Sequence, residues 1–346
     1  MRLLKVLVSL LIIILILGGL AAGAGYVWLT NEIAKPGPSQ AVQTFEVKPG
    51  EGLISIAARL EQEGLISDAR LLRVASRLEQ TTGQAKVGEY EIEAGLSISE
   101  TLERLVEGKV VQHRITVPEG LTVAQAFRVI AANDLLTGDM PEELPPEGSM
   151  LPDTYFFSRG TTRQSIVEQM QKAQQDLLAE LWPERQEGLP LASAYEAVIL
   201  ASVVEKETGL ASERGQIAGL FVGRLKRGMR LQSDPTIIYG ESGGEPLRDR
   251  NGKRRGIRRS EINRVTDWNT YQIDGLPKTP IANPGRDSIA AVLQPESTEY
   301  VFFVADGTGG HKFARTNAEH ERNVAAYRAY ERTELARERA EADKND

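Results

Sequence analysis

The segment Ala197-Val-Ile-Leu-Ala-Ser-Val-Val-Glu-Lys-Glu-Thr208 is an apolar run that ends in two glutamates. At about 100° per residue its apolar side chains cover nearly the whole circumference, which predicts a helix buried on all sides. We expect this helix to stop at Gly209. Its last turn carries two glutamates, and there the helix dipole and the apolar surroundings both disfavour an anion and raise a carboxyl pKa. A carboxyl group of this kind is suited to act as a general acid near neutral pH.

Only one of the two glutamates can line a given cleft. Residues two apart on a helix project about 160° from each other, so Glu205 and Glu207 face different surroundings. Glu207 is nearer the helix end, where the dipole effect is strongest and a ligand can reach the side chain. We therefore predict Glu207 as the catalytic acid and keep Glu205 as the alternative. The simplest competing interpretation is that both carboxylates solvate the end of a core helix.

The N-terminal residues have the composition of a membrane anchor. Arg2 and Lys5 precede an uncharged stretch from Val6 to Leu29. At about 1.5 Å per residue, this stretch is long enough to cross a hydrocarbon core of about 30 Å. We predict a single-pass transmembrane helix over residues 1–30, with the positive N-terminus in the cytoplasm and the remainder of the chain exported.

A cleaved signal peptide is the alternative, because Ala22-Gly-Ala24 resembles a cleavage site. The apolar stretch is, however, too long for a signal core, and Tyr26 and Trp28 fit an interfacial aromatic belt. Either interpretation places the rest of the chain outside the cytoplasm. The sequence contains no cysteine, so no disulfide stabilises the exported part.

Composition excludes several classes of function. The 346 residues carry a net charge of −7, which gives no basic footprint for nucleic acid. The basic run Arg248–Arg259 is interrupted by glycine and aspartate and is interpreted as a solvated loop that could meet an anionic polymer. The three histidines show no metal-ligand spacing. The glycine-rich turn Gly307–Gly310 lacks the features of a phosphate loop, and no cofactor is predicted.

A linker and a repeated unit follow the anchor. Residues 31–43 include Lys35-Pro-Gly-Pro-Ser39 and read as a linker. A short alternating strand, a glycine turn and an amphipathic helix then recur in three segments, Phe45–Leu60, Tyr90–Leu105 and Ile115–Phe127. The three units are too few and too unequally spaced to favour a solenoid.

The first copy resembles a LysM module, whose usual ligand is the N-acetylglucosamine-containing glycan of the cell wall. A LysM fold returns through a second strand after two helices, and Ala69–Leu78 and Val87–Ile92 are candidates for those parts. We predict a LysM-like subdomain over residues 44–112. A structural spacer that binds no sugar is the alternative.

The remaining chain mixes helical and strand patterns. A loop or strand is expected at Leu151–Phe157, helices at Thr162–Ala179 and Glu213–Leu225, and a strand at Glu299–Val304. The predicted fold class is therefore α+β: a transmembrane helix, a small LysM-like strand-turn-helix subdomain, and an α+β catalytic domain over residues 113–332. Residues 333–346 form a charged tail without a functional signal.

Four further blocks carry a specific family resemblance: Glu213-Arg214, Gly228–Gly240, Tyr271–Gly285 and Val301–Phe313. In this order, behind an N-terminal anchor, they resemble the YceG-like family of membrane-anchored endolytic murein transglycosylases. The resemblance covers essentially the whole chain. It implies a peptidoglycan lyase that cuts the MurNAc-GlcNAc bond in nascent glycan strands and so terminates their growth.

The same resemblance assigns roles to residues. Lytic transglycosylases carry their acid at the end of such a helix before a Ser or Thr, and Glu207-Thr208 matches that pattern. The single carboxyl protonates the leaving oxygen and then accepts the proton of the 6-hydroxyl, which attacks C1 and closes a 1,6-anhydro ring. Glycan-binding residues are expected in the later motifs: Gln232, Asp234, Thr236, Tyr239, Asn269, Tyr271, Asn283 and His311. For the asparagines, and Asn283 before Pro284 above all, turn chemistry is the alternative.

Two other functions stay open at this point. A hydrolytic muramidase would use Glu207 as acid, with Asp234 or Glu213 assisting water. A non-catalytic, membrane-anchored wall-binding protein would need only the LysM-like repeat. The predicted partners are peptidoglycan strands and the inner membrane, and the family resemblance adds glycan-synthesising machinery.

Overall fold

The computed structural model describes residues 2–81 and 85–342. Its α+β composition agrees with the predicted fold class. The helices are α1 Arg2–Ile33, α2 Leu53–Gln62, α3 Ala69–Leu78, α4 Ile98–Glu107, α5 Val123–Ala131, α6 Arg163–Leu181, α7 Ala194–Glu207, α8 Ala211–Lys226, α9 Asp234–Ser242, α10 Arg259–Ile262, α11 Arg286–Leu293 and α12 Asn317–Ala342. The strands are β1 Gln43–Val47, β2 Gly88–Ile92, β3 His113–Thr116, β4 Thr154–Phe157, β5 Phe302–Ala305 and β6 His311–Ala314. They form the two-stranded sheets β1–β2, β3–β4 and β5–β6.

The chain divides into two compact units. The first contains the residues up to His113 together with Phe156–Gly160. The second contains Arg114–Tyr155 and the residues from Thr161 onward. Of the predicted charged tail, residues 343–346 lie outside the described part of the chain.

The first unit begins with the apolar helix α1. Among the described residues, Lys5–Ile33 is the one helix that is long and apolar enough to cross a membrane. Its apolar side chains are exposed from Val6 through Trp28. Ile33, at the C-terminal end of the helix, is buried in the core of the unit instead. The apolar helix α1 therefore continues directly into the folded part of this unit.

That core is built on the antiparallel pair β1–β2, with α2 and α3 between the two strands in sequence. Phe45 on β1 is paired with Tyr90 on β2, and both side chains are fully buried. The Tyr90 hydroxyl donates to the carbonyl of Lys86 at 2.7 Å. This is the strand-helix-helix-strand order that the sequence predicts for residues 44–112.

Each of the three predicted repeats folds as a strand, a turn and a helix. The turn glycines Gly50, Gly95 and Gly120 have φ of 77°, 72° and 73°, a left-handed conformation that costs glycine little. The second and third helices begin with capping boxes, Ser97 with Glu100 and Thr122 with Gln125.

The segment expected to be a linker is held against the first unit. The Gly37 N–H donates to Gly95 O at 3.1 Å, and the Gly95 N–H donates to Ser39 O at 2.8 Å. A Cβ atom at Gly37 would collide with the carbonyl oxygen of Leu96. Residues 34–42 are thus attached to the first unit at defined points. In a free spacer the same backbone N–H and C=O groups would bond to water instead.

The second unit is organised around α7, which packs on α8 and α11. Every residue from Ala197 to Val204 is buried, as the apolar circumference of the sequence predicts. The predicted stop is corrected by one residue: the helix ends at Glu207, and Thr208 is its C-cap in an extended conformation, with φ −140°. The Thr208 Oγ1 accepts a hydrogen bond from the Leu210 N–H at 2.9 Å, so a threonine turn ends the helix before Gly209 is reached.

Candidate functional site

Glu207, the last residue of α7, borders a cavity of about 670 Å³ in the second unit, called here the Glu207 cavity. Polar and aromatic side chains from several elements of that unit line it. They are Arg224 on α8, Gln232, Asp234 and Tyr271, the hairpin residues Phe302, Phe303 and His311, and the α12 residues Asn317, His320 and Arg328, and the apolar residues Val304, Ala305 and Val324 complete the lining. Of the nine predicted site residues, this cavity brings together Glu207, Gln232, Asp234, Tyr271 and His311.

The Glu207 carboxyl group in this cavity has a strongly raised pKa. It keeps a small solvent-exposed surface but is surrounded by protein, and this burial, reinforced by the nearby negative charge of Asp234, raises its pKa to about 7. The charge of Arg224 and the hydroxyl of Ser233 act in the opposite direction and lower the pKa. The balance leaves a large share of Glu207 protonated at neutral pH, as a general acid requires.

Ser233 is a buried neighbour of this acid. Its side chain is inaccessible to solvent and lies close enough to the Glu207 carboxyl group to affect its pKa. Within the described residues, however, its Oγ makes no hydrogen bond of ordinary length and angle. The contact between Ser233 and Glu207 is therefore a weak polar interaction.

Arg224 joins the backbone on two sides of the cavity. Its Nε donates to Val301 O at 2.6 Å, and its Nη1 donates to Leu231 O at 2.6 Å and Arg230 O at 3.2 Å. These bonds tie α8 to the residue that precedes β5 and to the segment that leads into α9. The buried guanidinium thus holds the site together and supplies a positive charge near Glu207.

Asp234 and Tyr271 form a polar pair in the cavity. The Tyr271 hydroxyl donates to Asp234 Oδ1 at 2.7 Å, and burial together with this carboxylate raises the pKa of Tyr271. Gln232, two residues before Asp234, has a φ of 53°, an uncommon conformation for a residue other than glycine and one that is often found at functional sites. The Gln232 N–H donates to Thr270 O at 3.1 Å, which stabilises that conformation.

His311 enters the cavity from the β5–β6 hairpin and is held by Glu213 of α8. Its Nδ1 lies 2.7 Å from Glu213 Oε2, and its backbone N–H donates to Glu213 Oε1 at 2.9 Å. Phe303 packs its edge against the ring, with the centroids 5.2 Å apart. Both the position and the orientation of the imidazole are therefore fixed.

Four other predicted residues make internal hydrogen bonds away from this lining. Thr236 is fully buried and donates to Ser233 O at 2.6 Å. The Tyr239 hydroxyl donates to Glu147 Oε2 at 3.1 Å and lines a separate cavity beside α9. Asn269 donates to the carbonyls of Glu261, Ile262 and Arg264, and Asn283 bridges Leu121 O and the Met150 N–H. The asparagines thus have the turn and loop contacts that formed their alternative interpretation.

Glu205 has a different environment from Glu207. Its Oε2 accepts a hydrogen bond from the Gly285 N–H at 3.0 Å. Its charge also reaches Glu119, whose own pKa is raised, first by burial and then by Glu205. This side of α7 faces the loop before α11, away from the residues that line the Glu207 cavity.

Most of the chain matches the sequence model of a known protein family. The sequence model of the YceG-like family matches residues 45–326. The chain belongs to the YceG-like family.

Two named relatives are similar to most of this chain. The endolytic murein transglycosylase of Bacillus subtilis strain 168 is 25% identical over 320 residues, covering 84% of this chain and 86% of the relative. The endolytic murein transglycosylase of Streptococcus pneumoniae serotype 2 strain D39 is 25% identical over 338 residues, covering 84% of this chain and 59% of that longer protein. A crystal structure of a yceG-like protein from Listeria monocytogenes matches 82% of this chain and 99% of its own, with 25% identity and a TM-score of 0.49.

Two features of this YceG-like site were not predicted from the sequence. Arg224 lies within the apolar stretch of the predicted helix Glu213–Leu225. Because a buried arginine nearly always has a partner, this position could have indicated a polar site. The part of the cavity lining that α12 forms could not be predicted in this way, because the sequence of α12 is typical of a charged surface helix. Among the described residues, no group of three His, Cys, Asp or Glu side chains is placed as metal ligands would be.

Proposed function

We propose that this YceG-like chain is a membrane-anchored lytic transglycosylase that cuts the MurNAc-GlcNAc bond within peptidoglycan strands. The observation that carries the proposal is Glu207, a carboxyl group at the end of a buried helix whose pKa is raised to about 7 beside a large polar cavity. The names of the two relatives, both endolytic murein transglycosylases, support the same reaction class.

The proposed reaction starts with proton transfer from Glu207 to the glycosidic oxygen. As the C1–O bond breaks, the leaving sugar keeps the electron pair, and C1 acquires oxocarbenium-like character. The 6-hydroxyl of the same N-acetylmuramic acid then attacks C1, closes a 1,6-anhydro ring and gives up its proton, which the newly formed Glu207 carboxylate accepts in the one-carboxyl form of the mechanism. Ordinary glycosidases need two carboxyl groups, whereas this route needs one acid and an internal nucleophile.

The cavity residues supply binding and electrostatics in this proposal. Gln232, Tyr271 and His311 offer hydrogen-bonding groups to an N-acetyl sugar, and the carboxylate of Asp234 stabilises positive charge that develops at C1. Thr236, Tyr239, Asn269 and Asn283 contribute by fixing the segments that carry these groups. In the proposal they are supporting residues, because their polar atoms bond to the protein itself.

Hydrolysis of the same bond is the second candidate, because Asp234 places another carboxyl group in the cavity. Cleavage in water enriched in oxygen-18 separates the two. We expect soluble products without the label, since the nucleophile comes from the substrate. One labelled oxygen per cut would establish a muramidase, and binding without any cut would favour a wall-binding protein.

The anchor helix supports a place at the cell membrane. We infer that α1 crosses the inner membrane once, with its basic N-terminus in the cytoplasm and the folded units outside. There the enzyme would meet nascent strands close to the machinery that synthesises them. A variant lacking residues 1–30 should be soluble and still cut isolated glycan, because the Glu207 cavity contains no residue of the anchor. A folded but inactive truncated protein would show that the anchor has a catalytic role.

The LysM-like assignment of residues 44–112 remains a proposal, supported by the strand-helix-helix-strand order around β1–β2. The proposed catalytic domain covers residues 113–332. Sugar binding by the first unit predicts that Glu207→Gln protein still sediments with insoluble glycan, and that substitutions of exposed residues in the loops beside β1 reduce this. Unchanged sedimentation in such variants would favour the structural spacer.

A further inference from the structure

His311 has a carboxylate partner that fixes the protonation pattern of its ring, which sugar binding alone does not require. A carboxylate can only accept hydrogen bonds, so the contact of Nδ1 with Glu213 Oε2 at 2.7 Å requires the proton of a neutral imidazole to be on Nδ1. The other ring nitrogen, Nε2, is then an acceptor. Within the described residues Nε2 has no hydrogen-bond partner, and the ring lines the Glu207 cavity.

The orientation of this ring is determined by more than one contact. Glu213 Oε1 accepts the backbone N–H of His311 while Oε2 contacts its ring, so one carboxylate holds both the main chain and the side chain. Gly310 permits this approach, because a Cβ there would come within 2.8 Å of Glu213 Oε1. A carboxylate that fixes the tautomer of a histidine, with the second nitrogen directed to a reaction site, is the usual arrangement of a general base.

We propose that His311 is a second catalytic residue and that its Nε2 accepts the proton of the 6-hydroxyl group as the anhydro ring closes. This inference rests on the lytic reaction proposed above. Glu207 gives its proton to the leaving oxygen, the C1–O4 bond breaks, and the O6–C1 bond forms while the O6 proton moves to Nε2. The products are a Glu207 carboxylate and a His311 imidazolium next to Glu213, and proton exchange through water in the open cavity restores both groups.

With His311 as base, two different groups carry out the two proton transfers that a one-carboxyl mechanism assigns to Glu207 alone. If Glu207 alone acts, the free enzyme only needs that group protonated, and kcat/KM falls on the alkaline side alone. If His311 acts as base, it must start neutral, and kcat/KM also falls on the acid side as the imidazole becomes protonated.

Several charged and titratable groups share this environment and contribute to the position of both limbs. The apparent pKa values of such coupled groups belong to the whole group of interacting residues and not to one residue. The role of His311 is therefore tested by comparing the pH profiles of variants. The groups that face His311 are Glu213 and Arg224 on α8, Glu207 on α7, Asp234 and Tyr271 across the cavity, Asp306 in the hairpin turn, and His320 and Arg328 on α12.

The first unit provides a matched control. His113 also pairs with a carboxylate, but through the other nitrogen, with Nε2 at 2.6 Å from Glu89 Oε2. This pair predicts the opposite tautomer in a histidine that belongs to the other unit. Because the chain has only three histidines, nitrogen-15 NMR of the full chain in detergent can distinguish them. We expect the Nδ1–H form for His311 and the Nε2–H form for His113.

The deciding experiment is the pH profile of kcat/KM on soluble glycan strands for the full chain. We expect His311→Gln to lower kcat/KM by about 10²-fold or more and to remove the acid limb. Glu213→Gln should move that limb to lower pH, because it removes the anion that stabilises the imidazolium, and His113→Gln should leave the profile unchanged. An acid limb that persists in His311→Gln, or an Nε2–H tautomer in the wild type, would overturn the inference.

If His311→Gln fails to fold, the pH profile of Glu213→Gln and the tautomer of His311 in the wild type still decide whether His311 acts as the base. A reducing-end product in the wild type would instead refute the lytic function itself. A 1,6-anhydro product with an unaltered acid limb in the variants would leave that function in place and remove only the role of His311.

Discussion

Glu205 and Glu207 lie two residues apart in the last turn of α7 and have different surroundings. Glu205 accepts the Gly285 N–H at 3.0 Å, whereas Glu207 borders the polar cavity and has a pKa raised to about 7. The opposite projection expected from helix geometry is therefore present. It divides the two carboxyl groups into one that binds backbone and one that can reach a substrate.

This division gives the first prediction. Glu207→Gln keeps the shape of the side chain but removes its acidic proton, so cleavage of isolated glycan should fall by at least about 10³-fold with folding retained. Glu205→Gln is the matched control. Its amide oxygen can still accept the Gly285 N–H, and activity should stay within a few-fold of the wild type by our estimate. An inactive Glu205→Gln beside an active Glu207→Gln would reverse the assignment.

The raised pKa of Glu207 also predicts how stability depends on pH. In the unfolded chain this carboxyl group titrates near 4.5 and in the folded protein at about 7. The folded state therefore binds the proton more tightly, and stability falls as pH rises between these values. The loss has an upper limit of about 3 kcal/mol.

A comparison of wild type with Glu207→Gln checks this sign. The variant cannot ionise at this position, so its stability advantage should grow from pH 5 to pH 8 in denaturant unfolding. A difference between the two proteins that is constant over this range would contradict the buried, proton-binding state of Glu207.

Ser233 offers a test of the interaction that lowers the pKa of Glu207. Removal of its hydroxyl in Ser233→Ala should move the alkaline limb of kcat/KM to higher pH, because one group that favours the carboxylate is lost. Stability should change little, since that hydroxyl has no well-formed hydrogen bond within the described residues. Ser288→Ala on α11, another fully buried serine of this kind, should leave the profile unchanged. Identical profiles for both variants would remove Ser233 from the account.

Arg224 is predicted to act on both stability and the acid. Arg224→Met leaves the carbonyls of Val301 and Leu231 without their donor, so we expect the free energy of unfolding to fall by about 2–4 kcal/mol. Loss of the positive charge should also move the alkaline limb to higher pH, because the Glu207 carboxylate loses a favourable partner. Destabilisation without any change in the pH profile would limit Arg224 to a structural role.

The sequence predicted those parts of the site that follow from local pattern. The buried circumference of α7, the strand-turn-helix repeats and the carboxyl group at the helix end all depend on residues a few positions apart. The family resemblance then indicated which later segments accompany Glu207, and Gln232, Asp234, Tyr271 and His311 do line its cavity.

The parts that sequence reasoning missed depend on contacts between distant residues. Glu213 and His311 are 98 positions apart, and no periodicity indicates that α8 and the β5–β6 hairpin place them together. Thr236 and Asn269 are expected to bind glycan because they are polar residues in or beside the motifs of the family resemblance, and in the fold each is buried with protein partners. A polar side chain can serve backbone or substrate equally well, and only its position in the fold separates the two uses.

The role of Glu207 in a lytic reaction is tested by mass spectrometry of the new glycan ends that the wild type and Glu207→Gln form on the same strands. We expect the wild type to form 1,6-anhydro-N-acetylmuramic acid ends, each lighter by one water than a reducing end, and Glu207→Gln to form essentially none. Reducing ends from the wild type, or anhydro ends from the variant at the wild-type rate, would contradict this role.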